Sequence, residues 1–349
     1  MAYTTIDDSS AYFQTKLYTG NGGTNALTLD GNSNLQPDWV WIKNRNGTQD
    51  HHLFDSVRGT LKRLESNSTA QEETRANSIT SYDSDGFTLG DYANTNTNND
   101  TYVAWNWKAG TSVSGNTSGG TAKAYSGSVS TDAGISIITY LGNDNSAHVV
   151  PHHLGVAPEL TIIKERSNAD IWVVQNVYSG FGNYMTLHTN SASATNGGNF
   201  ITSVSSSAVT MNENAVNNAN DESYILYSFA SKQGYSKIGT YIGNGNADGP
   251  FIPLSFEPAF LIYKRTDTAK SWYMNDNKRD VHNPVDGVLL ADATDAENAS
   301  HGNKIDFLSN GFKSRSTGST VNSSGGTYLY MAFAENPFVT STGVPATAR

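Results

Sequence analysis

Three lysines stand at the same place in three copies of one pattern. Each lies six residues after a proline: Pro37 to Lys43, Pro158 to Lys164 and Pro258 to Lys264. An ammonium so placed does one of two kinds of work. It pairs with an acidic ligand or partner group, which makes Lys43, Lys164 and Lys264 candidate ligand contacts. Alternatively it lays its stem along apolar surface and pairs with a local carboxylate at a strand end. A residue repeated in every copy usually serves the fold, which favours the second. Trp172 and Trp272, eight residues after their lysines, are the other candidate ligand contacts. Aromatics on β-sandwich surfaces stack on sugar rings, although Trp172, between Ile171 and Val173, fits a core strand equally well.

Other chemistries find less support. Histidines gather at His51-His52 and at His148, His152 and His153. Imidazole is the commonest metal ligand, but neighbours on a strand point to opposite faces, so surface loops are expected. Asp83-Ser84-Asp85-Gly86 starts like a calcium loop but lacks its further carboxylates and closing Glu; a turn before Phe87 is expected. There is no cysteine, GxSxG elbow, HExxH or phosphate loop. No carboxylate pair recurs across the copies, as a glycosidase repeated with the pattern would require. The expectation is no catalytic residue, no metal, no cofactor and no enzymatic activity.

The elements that position these residues repeat with them. YTGNG near Tyr18, YLGND near Tyr140 and YIGNG near Tyr241 open the copies. TYVAWNWKA from Thr101, SYILYSFAS from Ser223 and TYLYMAFAE from Thr327 close them. Spacings of this length match a small domain rather than a solenoid repeat of roughly 20–50 residues. After each proline the strand is apolar on both faces, as in Trp39 and Trp41 against Val40 and Ile42, which predicts a central, covered strand. In the closing strands Val103, Trp105 and Trp107, then Ile225, Tyr227 and Phe229, then Leu329, Met331 and Phe333 share a core face. Asn-Gly marks tight turns. Asp55 to Asn67 is a short helical candidate, weakened by Gly59, and Asn94 to Asp100 reads as an exposed hairpin tip.

The predicted fold is therefore all-β: three tandem β-sandwich modules of jelly-roll or lectin-like type. Their spans are 1–110, 131–232 and 233–335. Residues 111–130, rich in Gly, Ser and Thr, read as a flexible linker or an extended edge strand, and 336–349 as a tail. Lys+Arg 22 against Asp+Glu 32 gives a net charge of −10, a poor match to nucleic acid. No apolar run is long enough for a membrane helix, and MAYTTIDDSS lacks the features of a signal peptide. Synthesis and folding in a cytoplasm are expected, with no membrane insertion.

MAYTTIDDSSAYFQTKLYTGNG, LQPDWVWIKNR, HHLFDSVRG, SYDSDGFTLG, YVAWNWKAG and MAFAENPFVTSTGVPATAR together resemble virion-associated proteins of marine bacteriophages. These often occur as repeated domains in tail-fibre-like or other structural gene products. The resemblance implies a virion structural protein assembled in the host cytoplasm with other virion proteins. It implies display on the tail or as capsid decoration, in a homo-oligomer, a trimer above all, with host-surface glycan attachment as a second role. A carbohydrate-active depolymerase on the same particle is the alternative; a free-standing bacterial lectin is weakened by the missing signal peptide. The flexible linker would let module one attach to the particle while the other two face outward.

Overall fold

The computed structural model describes residues 3–195, 197, 199–298 and 302–345. It is all-β, 45% strand and 3% helix. One strand order occurs three times: opening, closing, lysine, fourth and fifth strands, side by side and antiparallel. In the first unit these are Phe13–Thr19, Thr101–Trp107, Trp39–Asn44, His52–Asp55 and Lys62–Glu65. In the second they are Ile135–Leu141, Ser223–Phe229, Leu160–Glu165, Trp172–Asn176 and Asn183–Thr186. In the third they are Ser236–Ile242, Thr327–Pro337, Phe256–Arg265, Trp272–Asp276 and Leu289–Leu290. A three-stranded sheet accompanies each large one, centred on Gly86–Leu89, Ala208–Met211 or Gly311–Ser314. Val209 of the second unit occupies the place of Phe87 and Phe312, each pairing with the strand after the opening turn.

The two-sided apolar pattern has a specific cause. One face of the lysine and closing strands looks into its own unit. Val40, Ile42, Phe87 and Tyr102 make one interior, and Ile163, Val209, Tyr224 and Leu226 another. The other face looks to the centre of the molecule, where Trp39, Trp41, Trp105 and Trp107 meet Ile162, Tyr227 and Phe229 and then Ile262, Phe260 and Phe333. Trp39 stacks on Trp107 at 4.5 Å and on Tyr227 of the next unit at 4.8 Å. The interior of the third unit is continuous with this centre. Burying one large apolar side chain contributes about 1.5–3 kcal/mol, and the largest of them are spent on joining units.

The recurrent Y-x-G-N is explained by one local device. Tyr18, Tyr140 and Tyr241 stack on Tyr102, Tyr224 and Tyr328 at 5.0, 5.2 and 4.7 Å. Their hydroxyls donate to the carbonyls of Thr95, Asn217 and Val321 at 2.7, 2.7 and 2.8 Å. A Cβ on Gly20, Gly142 or Gly243 would lie 2.1, 2.1 or 2.3 Å from a carbonyl oxygen, so no side chain fits. The turn itself is held by a buried asparagine. Asn96, Asn218 and Asn322 each accept from the backbone N–H of the turn asparagine, at 2.9, 2.9 and 2.8 Å.

Several expectations are corrected. Asn94–Asp100 is not an exposed tip: Ala93–Asn96 forms a helical turn that buries Asn96. Asp55–Asn67 is not a helix, because the Asp55 carboxylate caps its own turn at the Arg58 N–H and Lys62–Glu65 pairs as a strand. Residues 111–130 are no flexible linker. Thr111–Asn116 and Ala124–Ser130 pair as a hairpin on the opening strand of the second unit, which is the edge-strand alternative. The first unit therefore has no free tether. Its leading segment is strapped to the third unit, with the Thr4 hydroxyl donating to the Gln233 carbonyl at 2.8 Å and Ser341 N–H donating to Asp7 at 2.6 Å. That removes the physical basis for a separately mobile first module. The closing strand of the third unit runs on to Pro337, and of the tail residues 346–349 lie outside the described part.

Candidate functional site

All three lysines are 0% exposed, so none reaches a ligand. Alternation along the strand turns each toward the molecular centre, and its ammonium closes the loop that follows. Lys43 donates to the carbonyls of Asn44 and Gly47 at 2.7 and 3.1 Å. Lys164 donates to that of Glu165 at 2.8 Å, and Lys264 to that of Lys270. Burial pushes each amine down to about 8, and acidic neighbours oppose it: Asp50 and Asp295 for Lys43, Asp170 and Glu165 for Lys164, Asp292 for Lys264.

Trp172 and Trp272 are also buried, at the joints between units. The indole of Trp172 donates to the carbonyl of Glu65, last residue of the fifth strand in the first unit, at 2.8 Å. Trp272 donates to that of Thr186, last residue of the fifth strand in the second unit, at 2.9 Å. The first unit carries His51 at this position. Its ring lies against the backbone of Leu290, last residue of the fifth strand in the third unit, without a hydrogen bond of ordinary geometry. Unit two therefore grips unit one, three grips two, and one grips three: the ring is closed.

Five further positions run around the same ring. Between units one and two, Asp55 and Arg58 form a buried ion pair at 2.5 Å, and Tyr227 donates to Asp55 at 2.7 Å. Glu72 lies 3.3 Å from Arg58 and accepts two bonds from Arg166 at 2.8 and 3.0 Å. Between units three and one, Asp276 and Arg279 pair at 2.5 Å, and Trp105 donates to Asp276 at 3.1 Å. Glu297 lies 3.7 Å from Arg279 and accepts from Arg45 at 2.6 and 3.2 Å. Between units two and three the equivalents are Asn176, Ser179, Met331, Ser193 and Thr266. Only the backbone bond survives there: Ser193 N–H to the Thr266 carbonyl at 2.9 Å, matching Glu72 to Arg166 at 2.9 Å and Glu297 to Arg45 at 2.8 Å.

His51, His52, His148 and His152 are buried, which corrects the surface-loop reading; His153 alone of that group is exposed. His51 accepts from the Trp41 indole at 2.9 Å, and His148 meets Asn218 at 2.6 Å. Burial holds His51 and His52 well below their usual range, and pushes the Glu65 carboxyl, 3.9 Å from His52, up to about 7. Perturbed groups of this kind mark active sites as well as structural networks. Here they lie inside the protein. Among the described residues no group of His, Cys, Asp or Glu is arranged to hold a metal ion. Asp83 accepts from the Ser81 and Thr88 hydroxyls and Asp83-Ser84-Asp85-Gly86 is a hairpin turn, as expected.

Solvent-facing chemistry collects in the valleys outside the joints. The valley between units three and one is polar, about 190 Å³, lined among others by Asp8, Asp30, Lys278 and Glu335. The valley between units two and three is about 450 Å³ and different in kind. Tyr178, Phe251 and Ile242 stand 44%, 43% and 58% exposed along it, with Thr240, Lys237 and Pro253 beside them. The Tyr178 hydroxyl is within 2.9 Å of the Glu159 carboxylate and 2.8 Å of the Ile238 carbonyl, which fixes its ring. Aromatic faces next to hydroxyl, carbonyl and ammonium groups suit a ligand with one apolar face and a polar rim. Sequence reasoning missed this site. Tyr178 and Phe251 carry no recurrent signal, being the residues by which one copy departs from the others.

Fold and geometry define a closed ring of three interlocked β-sandwich units whose recurrent residues serve the turns and loops of each unit and the joints between them. The chain belongs to the family described as a domain of unknown function, DUF7483, whose model matches residues 8–337. One family model thus encloses all three units. Neither the curated proteins nor the solved structures gave a match.

Proposed function

We propose that this protein is a structural component of a bacteriophage virion, displayed on the particle surface, and that it is not an enzyme. The observation that carries the reading is the use of the recurrent residues. Tyrosines and lysines fix the turns and loops of each unit, and Trp172, Trp272, His51 and the carboxylates buried at two of the joints hold the units together, as a rigid building block requires. The likeness of its motifs to virion-associated proteins of marine phages supports the same conclusion. Other virion proteins are the proposed partners, and homo-oligomerisation, a trimer first, belongs to the proposal. Host-surface glycan is the proposed ligand, and the groove at Tyr178 and Phe251 is where it would stack. The residues lining that groove include no carboxylate pair, which favours binding over hydrolysis there.

Immunogold labelling of purified particles with antibody against this chain tests the assignment. Label over the head makes it a decoration protein, and label at the tail makes attachment its leading role. Particles without label overturn the proposal. A glycan array with Tyr178→Ala and Phe251→Ala tests the groove separately: binding that both variants retain removes the groove from the reading.

A further inference from the structure

The three joints are not equivalent in covalent terms. Units one and two are connected through residues 108–110, and units two and three through residues 230–235. No peptide connects unit three to unit one, so the ring opens there without breaking the chain. At this joint, and at no other, the gripping residue is a histidine where the other two units carry tryptophan.

The hydrogen bonds settle the state of that histidine. The Trp41 indole N–H donates to Nδ1 at 2.9 Å, so Nδ1 is the acceptor and the proton resides on Nε2. A second proton could enter only at Nδ1. It would turn the acceptor into a donor facing the Trp41 N–H and place a charge in a fully buried site. The surroundings make that charge costly. Lys43 of the lysine strand, His52 of the fourth strand and Arg279 of the third unit all act against it. From the third unit the neutral Leu290 backbone acts with the opposite sign, and the Asn67 side chain is engaged with the His51 N–H at 2.9 Å. The nearby carboxylates Asp50 and Asp295 act on Lys43, and Glu65 lies with His52 and Arg63.

We propose that the joint between the third and first units is an acid-released latch with His51 as its trigger. Protonation of the ring opens this joint while the two tryptophan joints stay shut. An exposed imidazole takes up its proton near pH 6.5. The opening equilibrium should therefore rise about tenfold for each pH unit below that value. Opening also breaks the straps that cross this joint, Thr4 to Gln233 and Ser341 to Asp7, and so frees the leading segment from the end of the third unit.

Three equivalent amides report the three joints in one molecule: Glu297, Glu72 and Ser193, each donating across its own joint. Hydrogen exchange of the full chain, corrected for intrinsic rates, should be followed from pH 7 to pH 5. Protection of Glu297 is expected to fall about sixteenfold between pH 6.5 and 5, while Glu72 and Ser193 hold theirs. His51→Gln, which cannot titrate, and His51→Trp, which copies the other two joints, should both abolish the fall. Should the larger Trp prevent folding, the Gln variant decides alone. Three amides that change in parallel, no change at Glu297, or a fall that persists in His51→Gln would each overturn the proposal.

Discussion

The joint between units one and two and the joint between units two and three share a backbone hydrogen bond and a tryptophan grip, yet differ in almost every polar side chain. The first holds Asp55, Arg58 and Tyr227, buried, and Glu72 and Arg166, half-buried, in one network. The second holds Asn176, Ser179, Ser193, Thr266 and Met331. Every charge has gone together with its partner, and the donor over Asp55 has become a thioether that cannot donate. This is what burial demands. Removing one member of a buried ion pair leaves an uncompensated charge, whereas replacing the whole set can be nearly neutral. The neutral joint is also the one whose outer valley is aromatic and exposed.

The comparison breaks most visibly when one charge is removed alone. Arg58→Ala or Arg279→Ala should destabilise by about 3–5 kcal/mol, measured by urea unfolding, while Ser179→Ala at the equivalent place should cost about 1 kcal/mol or less. Replacing Asp276 with Asn in the Arg279→Ser background, the composition of the neutral joint, should recover part of the loss.

The buried lysines sharpen it through pH. Each native amine is pushed down to about 8, below its unfolded value near 10.5. The native state therefore releases a proton that the unfolded chain keeps, and stability rises with pH between about 8 and 10. Above that range the buried tyrosines, raised by burial, reverse the trend. Each lysine contributes about 1.4 kcal/mol per pH unit, so Lys43→Met, Lys164→Met and Lys264→Met should each remove one third of the slope. A slope unchanged by all three would show that the amines are not desolvated as described.

Where the units are alike, substitutions should act alike. Gly20→Ala, Gly142→Ala and Gly243→Ala should each cost about 1–3 kcal/mol, because every added Cβ meets a backbone carbonyl. Unequal melting temperatures among the three would contradict the common turn. The smallest contrast lies at the closing strands. Tyr227→Phe should cost about 1–3 kcal/mol by removing one donor from the buried Asp55 carboxylate, which keeps Arg58, but Met331→Leu less than about 1.5 kcal/mol.

Much of the fold was legible in the residues. Two-period alternation and the repeated Y-x-G-N, proline-to-lysine and closing-strand signals mark strands because each acts within a few residues of itself. Residues 111–130 misled because Gly, Ser and Thr suit an exposed edge strand as well as a linker. Asn96 misled because a polar run reads as solvent-facing unless its hydrogen-bond partners, Asn21 and Gly90, are known to converge on it. His51 misled for the same reason, its partner being Trp41 of the adjacent strand, and His52 because a polar ring is covered there by tertiary packing. The groove had no signal, since Tyr178 and Phe251 lie far apart in sequence.

The sequence by itself determined an all-β chain with one pattern in three copies, because side-chain alternation and turn chemistry are local. Only the tertiary structure decided that both faces of the central strands are covered, one by the unit and one by the ring. It also decided that lysine and tryptophan face inward and that the aromatic residues left outside meet in one valley. These outcomes depend on which surfaces three units bury against one another, and that is a property of closure rather than of any segment.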